Sequence, residues 1–198
     1  MILNENNEEA IINSINQLNS GKLIILPTDT IYGIAAKAED DLAVQKIYDA
    51  KKRSKNKAIA IFLKNIEQIE QKFYLNDIEK KIIKKYLPGA VTIILKPKNN
   101  KFSKFLNQNN DNLAVRIADN KFCLDLLDKF NGAIAVSSAN ISGQKEINNI
   151  NLLQKEFGDK IDLIITGKIN PESLASTIIQ VTNNKINILR QGLVQIKI

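Results

Sequence analysis

Hydroxyl and carboxylate side chains cluster where an apolar run ends in the stretch LIILPTDTIYG. The run stops at Pro27, and Thr28, Asp29, Thr30 and Tyr32 follow within six positions. Polar groups in a loop held by a rigid strand often bind and orient small ligands. Taken alone, however, the stretch favours an ordinary strand-to-turn junction, so the other clusters of the chain must decide between the two interpretations.

Two further clusters carry groups that can bind phosphate. Lys51 and Arg53 lie two residues apart at the end of a predicted helix, where they offer a point charge and a planar fork of donors. Ser138 and Asn140 lie in the sequence SSANISG, whose small and hydroxyl side chains let a ligand approach the backbone. Basic residues at a helix C-terminus and a turn capped by its own side chains are the structural alternatives.

Two arginines lie in or directly after apolar runs that predict strands. Arg116 falls within LAVRI, and Arg190 ends the run that begins at Ile186. A charge in or beside a core requires a partner, and that partner can be a ligand or a structural carboxylate. Both interpretations stay open for each arginine at this point.

Composition excludes several kinds of chemistry. The 198-residue chain contains no histidine, which rules out a Ser-His-Asp triad, a Cys-His dyad and any histidine-ligated metal site. The one cysteine, Cys123, favours a buried, inert thiol. No glycine-rich phosphate loop or dinucleotide fingerprint occurs. The net charge of +7 favours an anionic partner such as a nucleotide, nucleic acid or lipid surface, although solvated lysines explain it equally well.

The elements that must position these residues are short buried strands mixed with amphipathic helices. The predicted strands span residues 23–26, 58–63, 91–95, 113–117, 133–136, 162–166, 176–180 and 186–189. Helices are predicted before residue 21, after Asp40, after Asn76, over 121–130 and near 149–157. Asn183 and Asn184 predict a hairpin turn, which argues against a purely parallel sheet. The predicted fold class is α/β (α+β mixed), with one large twisted mixed sheet in a single domain spanning residues 1–198.

The chain shows no signal for a membrane or for export. No run approaches the ~20 apolar residues of a membrane helix. The N-terminus has no basic region followed by an apolar one, and a single cysteine fits a reducing compartment. We therefore expect a cytoplasmic protein without membrane contact.

The order of the clusters along the chain is more specific than any one of them. PTDTIYG, AKKR, PGAVTIIL, LAVRI, SSANISG, STI and ILRQG follow one another in an order and spacing that resemble the YrdC-like family of threonylcarbamoyl-AMP synthases, from about residue 8 to about residue 192. The resemblance is to the short, single-domain form of the family. It implies a YrdC/RibB-like open twisted mixed sheet with flanking helices and a concave basic cavity.

The resemblance implies a nucleotidyltransferase that makes threonylcarbamoyl-AMP, pyrophosphate and water from L-threonine, bicarbonate and ATP. This product supplies threonylcarbamoyladenosine at position 37 of tRNAs that read codons beginning with A. ATP is then a substrate, Mg²⁺ is expected on its phosphates with ligands that the sequence does not name, and no organic cofactor is expected. Contact with tRNA or double-stranded RNA and a downstream threonylcarbamoyl-transfer machinery are the further partners expected.

Site residues carry over from the family by position. The family's catalytic signature falls on Lys51, Arg53, Ser138 and Asn140. Its threonine pocket falls on Thr30, Arg116 and Ser176, with Arg116 suited to pair with the amino acid carboxylate. Its nucleotide-binding positions fall on Arg53, Lys57, Asn112, Ser138, Glu146 and Arg190.

The sequence also departs from the family at five positions. Common family prolines, a histidine and a threonine are replaced at Ser54, Ala58, Phe62, Asn112 and Ala118. These differences bear on loop rigidity and on fine contacts within the site. Because transfer at a phosphate leaves little covalent work for the protein, we predict no protein nucleophile and no covalent enzyme intermediate.

Two alternatives belong to other functional classes. The first is a non-catalytic RNA- or nucleotide-binding module of the same fold, whose affinity for RNA would fall steeply with salt. The second is a regulatory or maturation subunit that closes a pocket around a carbamoyl-adenylate. Relatives of that second kind are usually much longer and carry metal-binding cysteines, which this sequence lacks.

Overall fold

The computed structural model describes residues 1–109, 111–170 and 173–197. These ranges form eleven strands and six helices. The strands are β1 (Ile2–Asn4), β2 (Ile24–Leu26), β3 (Gly33–Lys37), β4 (Ala60–Phe62), β5 (Phe73–Tyr74), β6 (Val91–Pro97), β7 (Leu113–Arg116), β8 (Ile134–Ser138), β9 (Leu163–Thr166), β10 (Thr177–Thr182) and β11 (Lys185–Arg190). The helices are α1 (Ala10–Asn19), α2 (Asp41–Lys51), α3 (Ile66–Lys72), α4 (Asp77–Tyr86), α5 (Lys121–Phe130) and α6 (Ile150–Phe157).

The strands form one mixed sheet, which confirms the predicted fold class. Their order is β1-β9-β2-β3-β8-β4-β7-β6-β10-β11, and β5 pairs with β6 outside this path. The pairs β1–β9, β2–β9, β4–β7 and β6–β10 are parallel, and the other pairs are antiparallel. The predicted hairpin between β10 and β11 turns at Asn183 and Asn184, with φ angles of 51° and 58°. Two residues at positive φ are typical of a tight hairpin turn.

Strand alternation divides the sheet into two faces that are covered differently. One face is buried from β9 to β10 beneath α2, α3, α4 and α6, in a core that includes Ile61, Ile93 and Val115. The opposite face is covered by α1 and α5, but its core members from the sheet come only from β2, β3, β4, β8 and β9. Beyond β4, this same face of β7, β6 and β10 lines cavities instead. Helices therefore cover one face of the sheet and half of the other, and the half formed by β7, β6 and β10 is uncovered.

Side-chain caps fix where several helices begin. Asp40 accepts a hydrogen bond from the backbone N–H of Ala43, and Asn76 forms a capping box with Glu79. Such caps each stabilise a helix by about 1 kcal/mol. The sequence predicts both starts, whereas the first helix, α1, begins at Ala10 without a side-chain cap.

Candidate active site

All three arginines of the chain line one cavity of about 330 Å³ on the uncovered half of the sheet. Six residues predicted for the site from the sequence are part of its wall: Thr30, Arg53, Arg116, Ser138, Ser176 and Arg190. Alternate residues of β4, β6, β7 and β10 supply the floor, because side chains two apart on a strand point to the same face. Among the cavities along the described residues, a larger groove of about 820 Å³ shares Tyr32 with this one but holds none of the predicted site residues.

The loop after β2 is held in shape by the hydroxyl of Thr28. Its oxygen accepts hydrogen bonds from the backbone N–H groups of Thr30 and Ile31, both at 3.1 Å, and its proton goes to the carbonyl of Ile31 at 2.6 Å. Tyr32 braces the far side, since its hydroxyl donates to the carbonyl of Gly167 at 2.9 Å and accepts from that residue's N–H. The loop therefore presents Thr30 to the cavity on a rigid backbone.

Arg116 lies 4% exposed at the cavity floor and is held on several sides. Its Nη2 donates to Asp29 at 2.6 Å, its Nη1 to the hydroxyl of Thr30 at 3.1 Å, and its Nε to the carbonyl of Gly89 at 3.1 Å. The ring of Phe62 lies 5.4 Å from the guanidinium carbon. Three of the five N–H groups thus have partners among the described residues, which leaves two to bind a ligand carboxylate.

A second arginine is tied to the hydroxyl wall opposite. Arg190 donates to the carbonyl of Ser176 from Nε at 3.1 Å and from Nη2 at 2.8 Å, and Nη2 also lies 3.2 Å from its hydroxyl. The hydroxyl of Ser176 lies 2.8 Å from that of Thr92 on β6. Arg190 and Ser176, which carried separate predictions for nucleotide and threonine, therefore share one hydrogen-bond network.

Lys51 is buried beneath the wall and positions two other predicted residues. Its Nζ donates to the carbonyl of Ser138, and to the carbonyl and side-chain oxygen of Asn140 at 2.8 and 3.0 Å. The hydroxyl of Ser138 donates to the same side-chain oxygen at 2.6 Å. The pKa of Lys51 is lowered to about 7, chiefly by burial and in smaller part by the charge of Arg53, while Glu146 opposes the shift. Lys51 and Asn140 therefore hold Ser138 in place from behind the cavity surface.

The end of α2 separates Lys51 from Arg53. Lys52 adopts a left-handed conformation with φ of 48°, so the chain turns and Arg53 reaches the cavity. Arg53 donates to the carbonyl of Ala58 at 2.9 Å and to that of Lys57 at 3.3 Å. The Arg53 side chain is half-buried. Its partners in the described ranges are neutral carbonyls, so its charge is available to an anion.

Three predicted nucleotide-binding residues lie outside the cavity wall. Lys57 is exposed and contributes its backbone carbonyl to Arg53. Glu146 is exposed and acts electrostatically on both Lys51 and Arg190. Asn112 lines a neighbouring cavity of about 410 Å³, which shares Ile94 with the first. Their assignment to the nucleotide remains a prediction.

Two residues that contact the site's polar side chains, Asp29 and Thr92, were not assigned to the site from the sequence. Asp29 was noted in the first polar cluster without a definite role, and the structure gives it the ion pair with Arg116. Thr92 was absent from the prediction, although it is the one polar residue inside the apolar strand VTIIL. That polar position, on the face opposite the core residues of β6, was the signal that could have identified Thr92.

A half-covered mixed sheet with a hydroxyl-lined cavity and three arginines defines a class of proteins that bind small anionic or zwitterionic ligands. Comparison with known protein families identifies the family within this class. The model of the Sua5/YciO/YrdC family, described as telomere recombination, matches residues 16–192. The chain belongs to this family, as its motifs had predicted.

Relatives with high coverage support the same assignment. A protein from Methanocaldococcus jannaschii is 35% identical over 196 residues, which cover 98% of this chain and 92% of the relative. The threonylcarbamoyl-AMP synthase of Pyrococcus abyssi is 32% identical over 88% of this chain, which spans about half (52%) of that protein. The human threonylcarbamoyl-AMP synthase is 30% identical over 93% of this chain and 67% of the relative.

Solved structures agree with the fold. The crystal structure of Pyrococcus abyssi Sua5 complexed with L-threonine superposes with a TM-score of 0.89 at 30% identity, covering 97% of this chain and 57% of that one. Escherichia coli YciO matches with a TM-score of 0.88 over 100% of this chain and 96% of its own, and at 19% identity this shows the fold alone. In the part of the chain that the structure describes, no helix has the length and apolarity needed to span a bilayer.

Proposed function

We propose that this chain is a threonylcarbamoyl-AMP synthase, which converts L-threonine, bicarbonate and ATP to threonylcarbamoyl-AMP, pyrophosphate and water. The convergence of all three arginines on one small hydroxyl-lined cavity carries this proposal. The chain has many lysines on its surface, but its three arginines, whose side chains are planar and permanently charged, all line this cavity. Arginine is the residue best suited to hold carboxylates and phosphates in fixed orientations.

The proposed amino acid subsite centres on Arg116. The two N–H groups of Arg116 that have no partner among the described residues suit the carboxylate of threonine, and Asp29 and Thr30 fix the plane of the guanidinium. Ser176, the residue before β10, closes the subsite. Thr30, Arg116 and Ser176 line the same 330 Å³ cavity, whose volume suits a small amino acid beside a phosphate group.

The proposed nucleotide subsite lies on the side of Arg53 and Arg190. Both guanidinium groups contact neutral oxygens in the described chain, so their charge is available to phosphate oxygens. Ser138 offers a hydroxyl that Lys51 and Asn140 hold in position. In this proposal Lys57, Asn112 and Glu146 complete the contacts further from the reacting phosphate.

The chemistry follows from this placement. The amine of threonine attacks the carbon of bicarbonate, and loss of water gives a carbamate. A carbamate oxygen then attacks the α-phosphorus of ATP, the bond to the β-phosphate oxygen breaks, and pyrophosphate leaves. The protein contributes by holding the two substrates in contact and by neutralising the charge that develops on phosphate oxygens. No side chain is required to form a covalent bond with substrate.

The metal and the partners remain part of the proposal. The described residues contain no group of three acidic or cysteine side chains that could hold a metal ion, so we assign no protein site to Mg²⁺. A divalent ion would arrive on the phosphates as part of the substrate MgATP. We further propose that the chain acts as one domain in the cytoplasm and delivers its product to a machinery that modifies tRNA.

The test is the release of pyrophosphate by the purified protein in reactions that omit one substrate at a time. We expect release only when threonine, bicarbonate and ATP are all present, with the adenylate detected by mass spectrometry. Arg53→Gln should abolish release, whereas Lys81→Gln, which removes one exposed positive charge from α4, should not change it. Release that does not depend on threonine, or no release at all, would contradict the proposal.

A further inference from the structure

Thr92 occupies a position between the two side chains proposed to bind the amino acid. It is 2% exposed and belongs to the cavity wall. The β6–β7 ladder pairs Ile93 with Val115, and one further step of this antiparallel register places Thr92 opposite Arg116. On its other side, the Thr92 hydroxyl lies 2.8 Å from that of Ser176. The floor of the proposed amino acid subsite is therefore a row formed by Arg116, Thr92 and Ser176.

The hydroxyls of Thr92 and Ser176 keep hydrogen-bonding groups that a ligand can use. The oxygen of Ser176 already accepts from Arg190 at 3.2 Å. If Thr92 donates to Ser176, the proton of Ser176 remains for a ligand; if Ser176 donates to Thr92, the proton of Thr92 remains. In both arrangements, one O–H donor and two oxygen lone pairs are left over. This combination matches an alcohol, which both donates and accepts.

We propose that Thr92, acting with Ser176, recognises the side-chain hydroxyl of the amino acid substrate and is a specificity-determining residue. This inference rests on the proposed function, and it deepens that function by assigning the selection of hydroxyl-bearing amino acids to one residue. A valine side chain has nearly the shape of threonine but cannot pair with the remaining hydroxyl proton. A buried polar group left without a partner weakens binding strongly.

The apolar part of the floor accounts for the substrate methyl group. Ala60, Ala114, Ile94 and Ile178 project from the neighbouring strands into the same cavity. Serine as a substrate keeps the hydroxyl but has no methyl group to contact this apolar surface. Loss of one methyl group from an apolar pocket typically reduces kcat/KM by roughly 10-fold or more, whereas loss of a hydroxyl from a site built for it costs at least about 100-fold. The expected order of substrates is threonine, then serine, then valine.

The experiment compares wild type, Thr92→Val and Thr92→Ser with threonine, serine and valine as substrates. Valine at position 92 keeps the β-branched shape and removes only the hydroxyl, and serine keeps the hydroxyl. We expect Thr92→Val to lower kcat/KM for threonine by roughly 10- to 100-fold while leaving the low value for valine unchanged, so that the preference for threonine over valine falls by the same factor. Thr92→Ser should keep most of the preference of the wild type.

Two measurements separate failure of this inference from failure of the proposed function. If the wild type releases pyrophosphate with threonine and Thr92→Val keeps the full preference for threonine over valine, the role of Thr92 is wrong and the synthase proposal stands. If the wild type releases none, calorimetric binding of the three amino acids still tests Thr92. Equal binding of threonine and valine by the wild type, or no binding of either, would overturn the inference without any variant.

Discussion

The ion pair between Asp29 and Arg116 differs from the others in the described residues because it is nearly buried. The two side chains are 11% and 5% exposed and 2.6 Å apart, whereas every other pair joins at least one side chain that is more than 40% exposed. A buried pair adds little net stability, because desolvation offsets the attraction. Its value here is orientation, since it fixes the guanidinium that faces the proposed threonine carboxylate.

Replacing Asp29 by Asn should therefore affect both stability and substrate use. The amide keeps the shape but leaves Arg116 as a buried charge without its counterion, which costs about 3–5 kcal/mol of unfolding free energy. The freed guanidinium should also raise KM for threonine by roughly 10-fold, with KM for ATP changed much less. Urea unfolding and kinetics with each substrate varied in turn measure the two effects.

The control for this prediction is Asp128→Asn. Asp128 pairs with Lys64 at 3.3 Å and is 74% exposed, so its loss should cost less than about 1 kcal/mol and leave both KM values unchanged. If Asp29→Asn loses stability while KM for threonine stays at the wild-type value, the ion pair is purely structural.

The sequence identified the arginines of the site but not the partners that hold them. Arg116 was recognised as a charge inside an apolar strand, and this pattern can be read from the neighbouring residues in the sequence. Its carboxylate partner lies 87 residues earlier, and sequence spacing alone carries no information on which acidic residue meets it. Thr92 was missed for a related reason. A single hydroxyl within a strand has meaning only when the neighbouring strands are known.

Elements with strong local signals were predicted closely, and weakly marked elements were not. Helix α5 spans residues 121–130 as predicted, because Asn120 caps it and its apolar residues recur at helical spacing. Strand β3 was not predicted, since its sequence GIAAK consists largely of residues with low strand propensity. It forms because β2 and β8 flank it on both sides, which is a tertiary effect.

The segment after β11 acts as a strap behind Ser176. The N–H of Gly192 donates to the hydroxyl of Thr177 at 3.1 Å, and the N–H of Leu193 donates to the carbonyl of Ala175 at 3.1 Å. The backbones approach so closely that a Cβ at position 192 would collide with the carbonyl oxygens of Ala175 and Ser176. Glycine is therefore required at this crossing to hold the wall of the cavity in place.

Gly192→Ala should displace the backbone that carries Ser176. Overpacking against backbone atoms typically costs about 1–3 kcal/mol of unfolding free energy. Because the displaced atoms belong to the amino acid subsite, we also expect KM for threonine to increase by roughly 10-fold. Gly21→Ala, which is strained by a φ of +66° but lies after α1, should lose stability without any change in KM. An unchanged KM in Gly192→Ala would show that the strap does not set the position of Ser176.

At the scale of the whole molecule, the uncovered half of the sheet concentrates positive charge. Burial lowers the pKa of Lys51, Arg53 and Arg190, and in each case a neighbouring cation lowers it further. Only Arg116 has a buried counterion in the described residues. The ligand-free protein therefore holds like charges together at a cost in stability, and an anion bound in the cavity would relieve that repulsion.

Lys51 makes this cost measurable as a dependence of global stability on pH. Its pKa is about 7 in the folded protein against an ordinary value of 10.5, so between these values the unfolded chain binds more protons than the folded one. The penalty from Lys51 is fully present below pH 7 and is relieved as pH rises. The unfolding free energy should accordingly increase with pH, by up to about 1.4 kcal/mol per pH unit from this group.

Lys51→Met removes the titrating group, so the difference in unfolding free energy between wild type and variant, measured by urea unfolding at pH 7, 8 and 9, isolates the contribution of Lys51. That difference should shift in favour of the wild type as pH rises, and a difference that stays constant across the range would mean that Lys51 remains fully charged in the fold.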